Sequence, residues 1–167
     1  ANAAGGQTLS AGVWTFLGPG NIGGRTRALL VDPNQPGVLF AGAVSGGVWK
    51  SISGGATWTP IGDILSNLAV CALAQDPHDS ATIYAGTGEG YFREDVRGTA
   101  LTIAGDGIFV THDGGASWAH LPFTAGNPDF QFVNDVVVND RAVYAATRSG
   151  VWRSLDRGAT WSRVVPT

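Results

Sequence analysis

The residues best equipped for chemistry in this chain gather in one stretch. Glu89, Tyr91, Arg93, Glu94, Asp95, Arg97 and Asp106 form its densest charged cluster. Carboxylates and guanidinium groups on a long loop can contact a ligand or a partner, and carboxylate oxygens suit Ca²⁺. The spacing is not that of an EF-hand, and the same composition describes a solvated loop with internal Glu–Arg pairs. Arg25 and Arg27 are the second candidates; they flank Thr26 after a Gly-rich stretch. Strand alternation puts both on one face, where they can bind an anion or pair with a carboxylate of a neighbouring unit.

Other chemistry is argued against by what is missing. His78, His112 and His120 have no ligand spacing between them, whereas zinc needs about four converging ligands. Gly86-Thr87-Gly88-Glu89-Gly90 lacks the Lys-Ser/Thr and the following helix that make a phosphate loop work. Cys71, the one cysteine, lies inside the apolar run Leu68 to Ala74 and fits a small buried strand residue better than a nucleophile. No catalytic set, no metal site and no cofactor is expected, with Ca²⁺ at the charged loop as the one exception to test.

The elements that must position these groups are written in a repeat. Ser51-Ile52-Ser53-Gly54-Gly55-Ala56-Thr57-Trp58, Thr111-His112-Asp113-Gly114-Gly115-Ala116-Ser117-Trp118 and Ser154-Leu155-Asp156-Arg157-Gly158-Ala159-Thr160-Trp161 align without gaps. Each follows a strand-like segment, Gly47 to Lys50, Gly107 to Val110 and Gly150 to Arg153. Two further sets of strands precede these, and a short fourth strand follows each Trp. The glycines permit positive φ in a tight hairpin, and the Asp and Ser/Thr side chains can bond nearby backbone N–H groups. The Trp covers the turn. Ser51, Ser53, Gly55, Thr57, Trp58 and their counterparts are therefore read as structural, and Ser53 replaces Asp113 and Asp156 as a hairpin allows and a catalytic acid does not.

Trp118 and Trp161 lie 43 residues apart, the length of a four-stranded propeller blade of about 40–50 residues. Trp58 and Trp118 lie 60 apart, so the second unit carries an insertion over 88–106, which contains the charged cluster. No stretch keeps a helical period. The expected fold is all-β, a β-propeller of four-stranded antiparallel blades with three blades present: blade 1 over 25–62, blade 2 over 67–122 and blade 3 over 130–166. Residues 1–24 form an N-terminal segment in which Val13 to Leu17 is a candidate ring-closing strand.

Composition agrees with this. Hydrophobic residues make up 44% and Gly 25 of 167, about twice the usual ~7%, as many short strands and tight turns require. Net charge is -3 with no basic run, so nucleic acid is not expected as a partner. The longest strongly apolar run is far short of the about 20 residues of a membrane-spanning helix. The chain starts at Ala1 and contains no Met, which a removed signal peptide would explain.

These hairpins resemble the Asp-box (BNR) repeats of sialidase-like and sortilin-like (VPS10-type) propellers. The run Trp14 to Arg25 and the segment Gly46-Gly47-Val48-Trp49-Lys50-Ser51 look like the opening of large secreted bacterial proteins with sortilin-like propellers. The resemblance covers residues 13 to 166. It implies a β-propeller, a secreted, periplasmic or cell-surface location, and frequently no enzymatic activity in the propeller itself. Sialidases and xyloglucan-degrading enzymes share the box; sialidases use an arginine cluster, a Tyr–Glu pair and an acid, and xyloglucanases use paired Asp. Neither set maps onto this chain residue by residue.

Propellers have about four to eight blades, so three leave two open faces. The partners expected are further blades, from the same longer polypeptide or from other chains, with a protein or glycan ligand on the assembled ring. Two functions follow: a non-catalytic structural or interaction module, or the N-terminal portion of a sialidase-like glycoside hydrolase whose catalytic residues lie mostly outside this chain.

Overall fold

The computed structural model describes residues 25–61, 65–90 and 102–166. The N-terminal segment 1–24, and with it the proposed ring-closing strand, lies outside the described residues. Among the described residues, twelve strands form three four-stranded sheets, each antiparallel and each in simple sequential order. The first holds β1 (Thr26–Val31), β2 (Leu39–Ala43), β3 (Gly47–Ser51) and β4 (Thr59–Pro60). The second holds β5 (Val70–Asp76), β6 (Asp79–Thr87), β7 (Ile108–Thr111) and β8 (Ala119–His120). The third holds β9 (Val133–Val138), β10 (Val143–Thr147), β11 (Gly150–Ser154) and β12 (Ser162–Pro166), after a single 3-10 turn at Pro128–Phe130. The first strands β1, β5 and β9 pack side by side, so each sheet is a propeller blade with its first strand innermost.

Strand alternation gives every blade two faces, and both are apolar. In blade 2, Leu73, Ala85 and Phe109 stand opposite one another in register and pack against Val48 and Ile61 of blade 1. The alternate residues Ala74, Tyr84 and Val110 face blade 3, where they meet Val136, Ala145 and Trp152. This explains why β5 is buried along most of its length instead of alternating. Close approach needs glycine at the centre: a Cβ on Gly42 would lie 2.8 Å from Val70 Cγ1, and one on Gly86 2.6 Å from Val133 Cγ1.

The three hairpins share one hydrogen-bond plan. The hydroxyl oxygens of Ser51, Thr111 and Ser154 accept the N–H of Gly55, Gly115 and Gly158, at 2.9, 2.9 and 2.7 Å. Asp113 Oδ1 accepts the N–H of Ser117 and Asp156 Oδ1 that of Thr160, both at 2.8 Å. Ser53 Oγ makes the same bond to the N–H of Thr57 at 2.9 Å. The hydroxyl of Ser117, then its N–H, holds the Asp113 carboxyl well below the usual carboxylate range. The hydroxyl and N–H of Thr160 lower Asp156 to about 2. The fourth hairpin residue is left-handed in every copy, with φ of 66° at Gly54, 68° at Gly114 and 57° at Arg157.

Two predictions follow from the hairpins. Because the folded carboxyl of Asp156 is depressed, its stabilisation is complete above the unfolded value near ~4 and drains away as pH falls towards the folded one. Thermal unfolding between pH 5 and pH 2 is expected to show a steeper loss for the native protein than for Asp156→Asn; parallel curves would remove the hairpin bonds as the cause. Arg157 alone of the described non-glycine residues has a left-handed backbone. Arg157→Gly is expected to raise stability by about 0.5 kcal/mol, the relief of a ~1–2 kcal/mol strain less the entropy glycine gains when unfolded. An unchanged or lower urea midpoint would refute it.

Candidate functional site

Strand register sorts the charged groups between the two ends of the blades. Thr26 pairs with Ala43, Val70 with Thr87 and Val133 with Thr147. The start of each first strand and the end of each second strand therefore share one rim, which carries Arg25, Arg27, Glu89 and Asp106. The hairpins, with Asp113 and Asp156, turn at the opposite end of the strands.

Glu89 follows β6 and is fully buried. Arg25 Nη2 donates to its Oε2, and Arg27 Nε donates to its Oε1 at 2.9 Å. The side chain of Arg25 is 62% exposed and that of Arg27 30%, so the desolvated member of the cluster is the carboxylate. The bond crosses from blade 1 to blade 2 and occupies both carboxylate oxygens. Local backbone geometry puts Glu89 there. Gly88, at φ 96°, donates its N–H to Ala69 O at 2.8 Å, and a Cβ on it would overlap Gln131 O. The Glu89 N–H donates to Ile103 O at 2.8 Å, forming an antiparallel bridge between the two ends of the insertion. Thr87 Oγ1 closes the base, donating to Gly107 O at 2.7 Å and accepting the Asp106 N–H at 2.8 Å.

Asp106 belongs to a separate group. Its Oδ1 accepts the Gly126 N–H at 3.1 Å, and its Oδ2 lies 3.8 Å from His120 Nδ1. The His120 ring stacks on Phe109 at 4.3 Å and bonds the Asp106 carbonyl through Nε2. The adjoining cleft, lined by Gly105, Asp106, Gly126, Asn127, Pro128 and Gln131, encloses about 180 Å³. That is below the ~300–1,000 Å³ of most small-molecule sites. Tyr91, Arg93, Glu94, Asp95 and Arg97 lie outside the described residues. Among the described residues no group of three or more His, Cys, Asp or Glu side chains comes together to hold a metal ion. Cys71 is buried, and its thiol is pushed up to about 11, first by burial and then by the Glu89 charge. No helix among the described residues is long and apolar enough to cross a membrane.

Sequence reasoning did not name the partner of Arg25 and Arg27, because Glu89 is more than sixty positions away and nothing local marks the pairing. It also passed over Arg148, whose guanidinium sits 4.8 Å from the centre of the Phe132 ring on the same rim. The sequence signal there is a tight turn at Ser149-Gly150: the connection between β10 and β11 is Arg148 and Ser149 alone, too short to carry Arg148 away.

Three such blades make this chain part of a β-propeller. No family model matches it. It is 27% identical to a xyloglucanase of Hypocrea jecorina over 166 residues, 90% of this chain and 19% of that protein. It is 28% identical to a xyloglucanase of Paenibacillus sp. over 165 residues, 90% of this chain and 15% of that one. An ancestral GH74 enzyme has a similar structure, with a TM-score of 0.64 and 25% identity over 84% of this chain and 18% of its own. The GH74 xyloglucanase from Xanthomonas campestris gives 0.59 and 25%, over 85% and 21%. YCF48 bound to D1 peptide shares the fold alone, at 14% identity and a TM-score of 0.60. The chain spans less than a quarter of the length of the xyloglucanases it matches. These likenesses carry the β-propeller and do not carry the finer sortilin-like or sialidase-like assignment.

The Glu89 cluster generates an asymmetric prediction. Arg25→Gln with Arg27→Gln strands a buried carboxylate and is expected to cost about 3–5 kcal/mol. Glu89→Gln leaves two part-exposed cations that water can solvate, and is expected to cost only about 1–2 kcal/mol. Urea midpoints compare them, and equal losses would show that Glu89 does not carry the desolvation burden.

Proposed function

We propose that these three blades belong to a larger, exported β-propeller enzyme that hydrolyses a xyloglucan-type β-glucan. The observation that carries this reading is the identity of 27–28% with xyloglucanases along 90% of the chain. Export goes with the substrate, since a polymer of that size is met outside the cell. Hydrolysis of a glycosidic bond needs two carboxyl groups flanking it, about 5–10 Å apart. Glu89 has no exposed surface and both oxygens engaged, and Asp106 is bonded to the Gly126 N–H. In this reading the described part of the rim supports the substrate path, and the cleaving pair is supplied by residues beyond those described.

The same engagement of Glu89 favours a second reading, a non-catalytic module that binds glycan or protein. The test is to express the complete polypeptide that contains these blades and offer it xyloglucan, following new reducing ends and retention on immobilised polymer. Release of reducing ends is expected, with Glu89→Gln lowering stability but leaving kcat of the folded enzyme unchanged. Retention without cleavage would select the binding module, and neither retention nor cleavage would overturn the carbohydrate reading altogether.

A further inference from the structure

The turns that end the first strands of blades 1 and 2 are built alike. Asp32, 3% exposed, accepts the Asn34 N–H through Oδ1 at 2.8 Å. Its Oδ2 accepts from two amides, Gln35 Nε2 in the same turn and Gln75 Nε2 on β5 of blade 2, each at 3.2 Å. Asp76, 7% exposed, stands at the same place in blade 2 and accepts the His78 N–H through Oδ1 at 2.9 Å. Both amide donors are replaced there. Asp79 stands in the place of Gln35, and its carboxyl already accepts from the Ala81 N–H and the Thr82 hydroxyl. Val138 of blade 3 stands in the place of Gln75. No described residue donates to Asp76 Oδ2, so a deeply buried carboxylate keeps one oxygen unpaired, which buried charges ordinarily do not.

Asp76 lines a cleft of about 130 Å³ between blades 2 and 3, at the hairpin end. Val138, Val143 and Leu155 give the cleft an apolar wall. Asp140 adds a second carboxylate, whose Oδ1 bonds His78 Nε2 at 2.9 Å. The fully buried Tyr84 lines the cleft too, with its hydroxyl on Arg157 O at 3.3 Å. Arg141 and Arg157 equal the two carboxylates in number. Even so, burial first and then the Asp76 charge push the Tyr84 hydroxyl up, and the lowering by Arg157 is smaller than either. Asp76 therefore sets the field at that hydroxyl. A metal ion fits poorly, since Ca²⁺ takes about six to eight oxygens and no three acidic or His side chains converge among the described residues.

We propose that the cleft between blades 2 and 3 binds a primary alkylammonium group. Its N–H donors pair with Asp76 Oδ2 as the Gln35 and Gln75 amides pair with Asp32, and its stem lies along Val138, Val143 and Leu155. The unpaired carboxylate selects a cation. The two amides that Asp32 has and Asp76 lacks select an N–H donor, and the small, partly apolar cleft selects an unbranched stem. An ammonium has three donors; Asp140 Oδ2 and the Arg157 carbonyl are further acceptors on residues that line the cleft. A lysine side chain of a partner protein and a free diamine both carry this group. The inference stands apart from the carbohydrate reading, because the cleft lies at the end of the blades away from Glu89.

Butylammonium chloride, titrated calorimetrically into the complete polypeptide at fixed ionic strength, tests it. Saturable binding is expected, and Asp76→Asn is expected to weaken it about ten- to a hundredfold, the loss of a hydrogen bond between charged partners. Asn139 holds the equivalent turn of blade 3 through its own Oδ1, so this variant keeps the turn. Val138→Gln restores the donor that Gln75 supplies at the other junction. It is expected to weaken binding to a similar extent and to raise the melting temperature measured without amine. Tetramethylammonium chloride, equal in charge but without an N–H, is expected not to bind. No binding of butylammonium, equal binding of the two cations, or binding that survives Asp76→Asn overturns the proposal. Tighter binding of Nα-acetyl-lysine amide assigns the cleft to a protein lysine, and tighter binding of putrescine assigns it to a free diamine. Asp76→Asn is expected to leave xyloglucan turnover unchanged, so the amine site and the proposed activity stand or fall separately.

Discussion

Each blade of this chain carries apolar side chains on both faces of its sheet, and that double-sidedness governs the rest of the structure. A four-stranded sheet can bury one such face by itself only by curling; two faces require a neighbour on each side. Blade 2 has both neighbours, and Tyr84, Ile83, Ile108 and Val70 are fully buried. The same requirement explains the glycines at Gly42 and Gly86, where a side chain would hold the neighbouring blade away. It also explains why the hairpins repeat so closely. Each one closes its own blade, and those of blades 2 and 3 also receive a side chain from the blade before.

The architecture was legible because its local rules recur. A hairpin that needs two left-handed residues, a hydroxyl acceptor and a covering Trp leaves the same eight-residue trace three times, and the strands around it follow from spacing. The candidate site was legible only as residue types. Arginines on one face of β1 want a carboxylate, but which of the acidic residues meets them depends on how blade 2 leans on blade 1. That is set by packing, not by any local pattern. Asp106 shows the reverse difficulty. Close in sequence to the charged loop, it is drawn by Gly126 and His120 into a different set of bonds, because the backbone around Thr87 and Gly107 fixes its direction first.

The hairpin carboxylates and Glu89 are satisfied in different ways. At the hairpin end, the Asp113 and Asp156 carboxylates accept from hydroxyls and backbone N–H groups of their own turn. At the other rim, a single buried carboxylate joins two blades through two guanidinium groups. The first arrangement stabilises a blade internally, and the second ties neighbouring blades at the point where their innermost strands begin. The Asp113 and Asp156 carboxylates are therefore satisfied within their own turns, while Glu89 is satisfied across a blade boundary, as Asp140 is by His78 at the hairpin end.

The insertion after β6 enters and leaves through a closed base. Thr87 holds both sides, Glu89 pairs with Ile103, and Gly105 donates its N–H to Gln131 O at 2.8 Å. With the ends held together by the fold, the closure entropy of whatever lies between grows only logarithmically with its length. Segments of different size and composition can be exchanged there over evolutionary time at little cost to the blades. One scaffold can then present different surfaces at its rim while its packing, and the genes that encode it, stay largely the same.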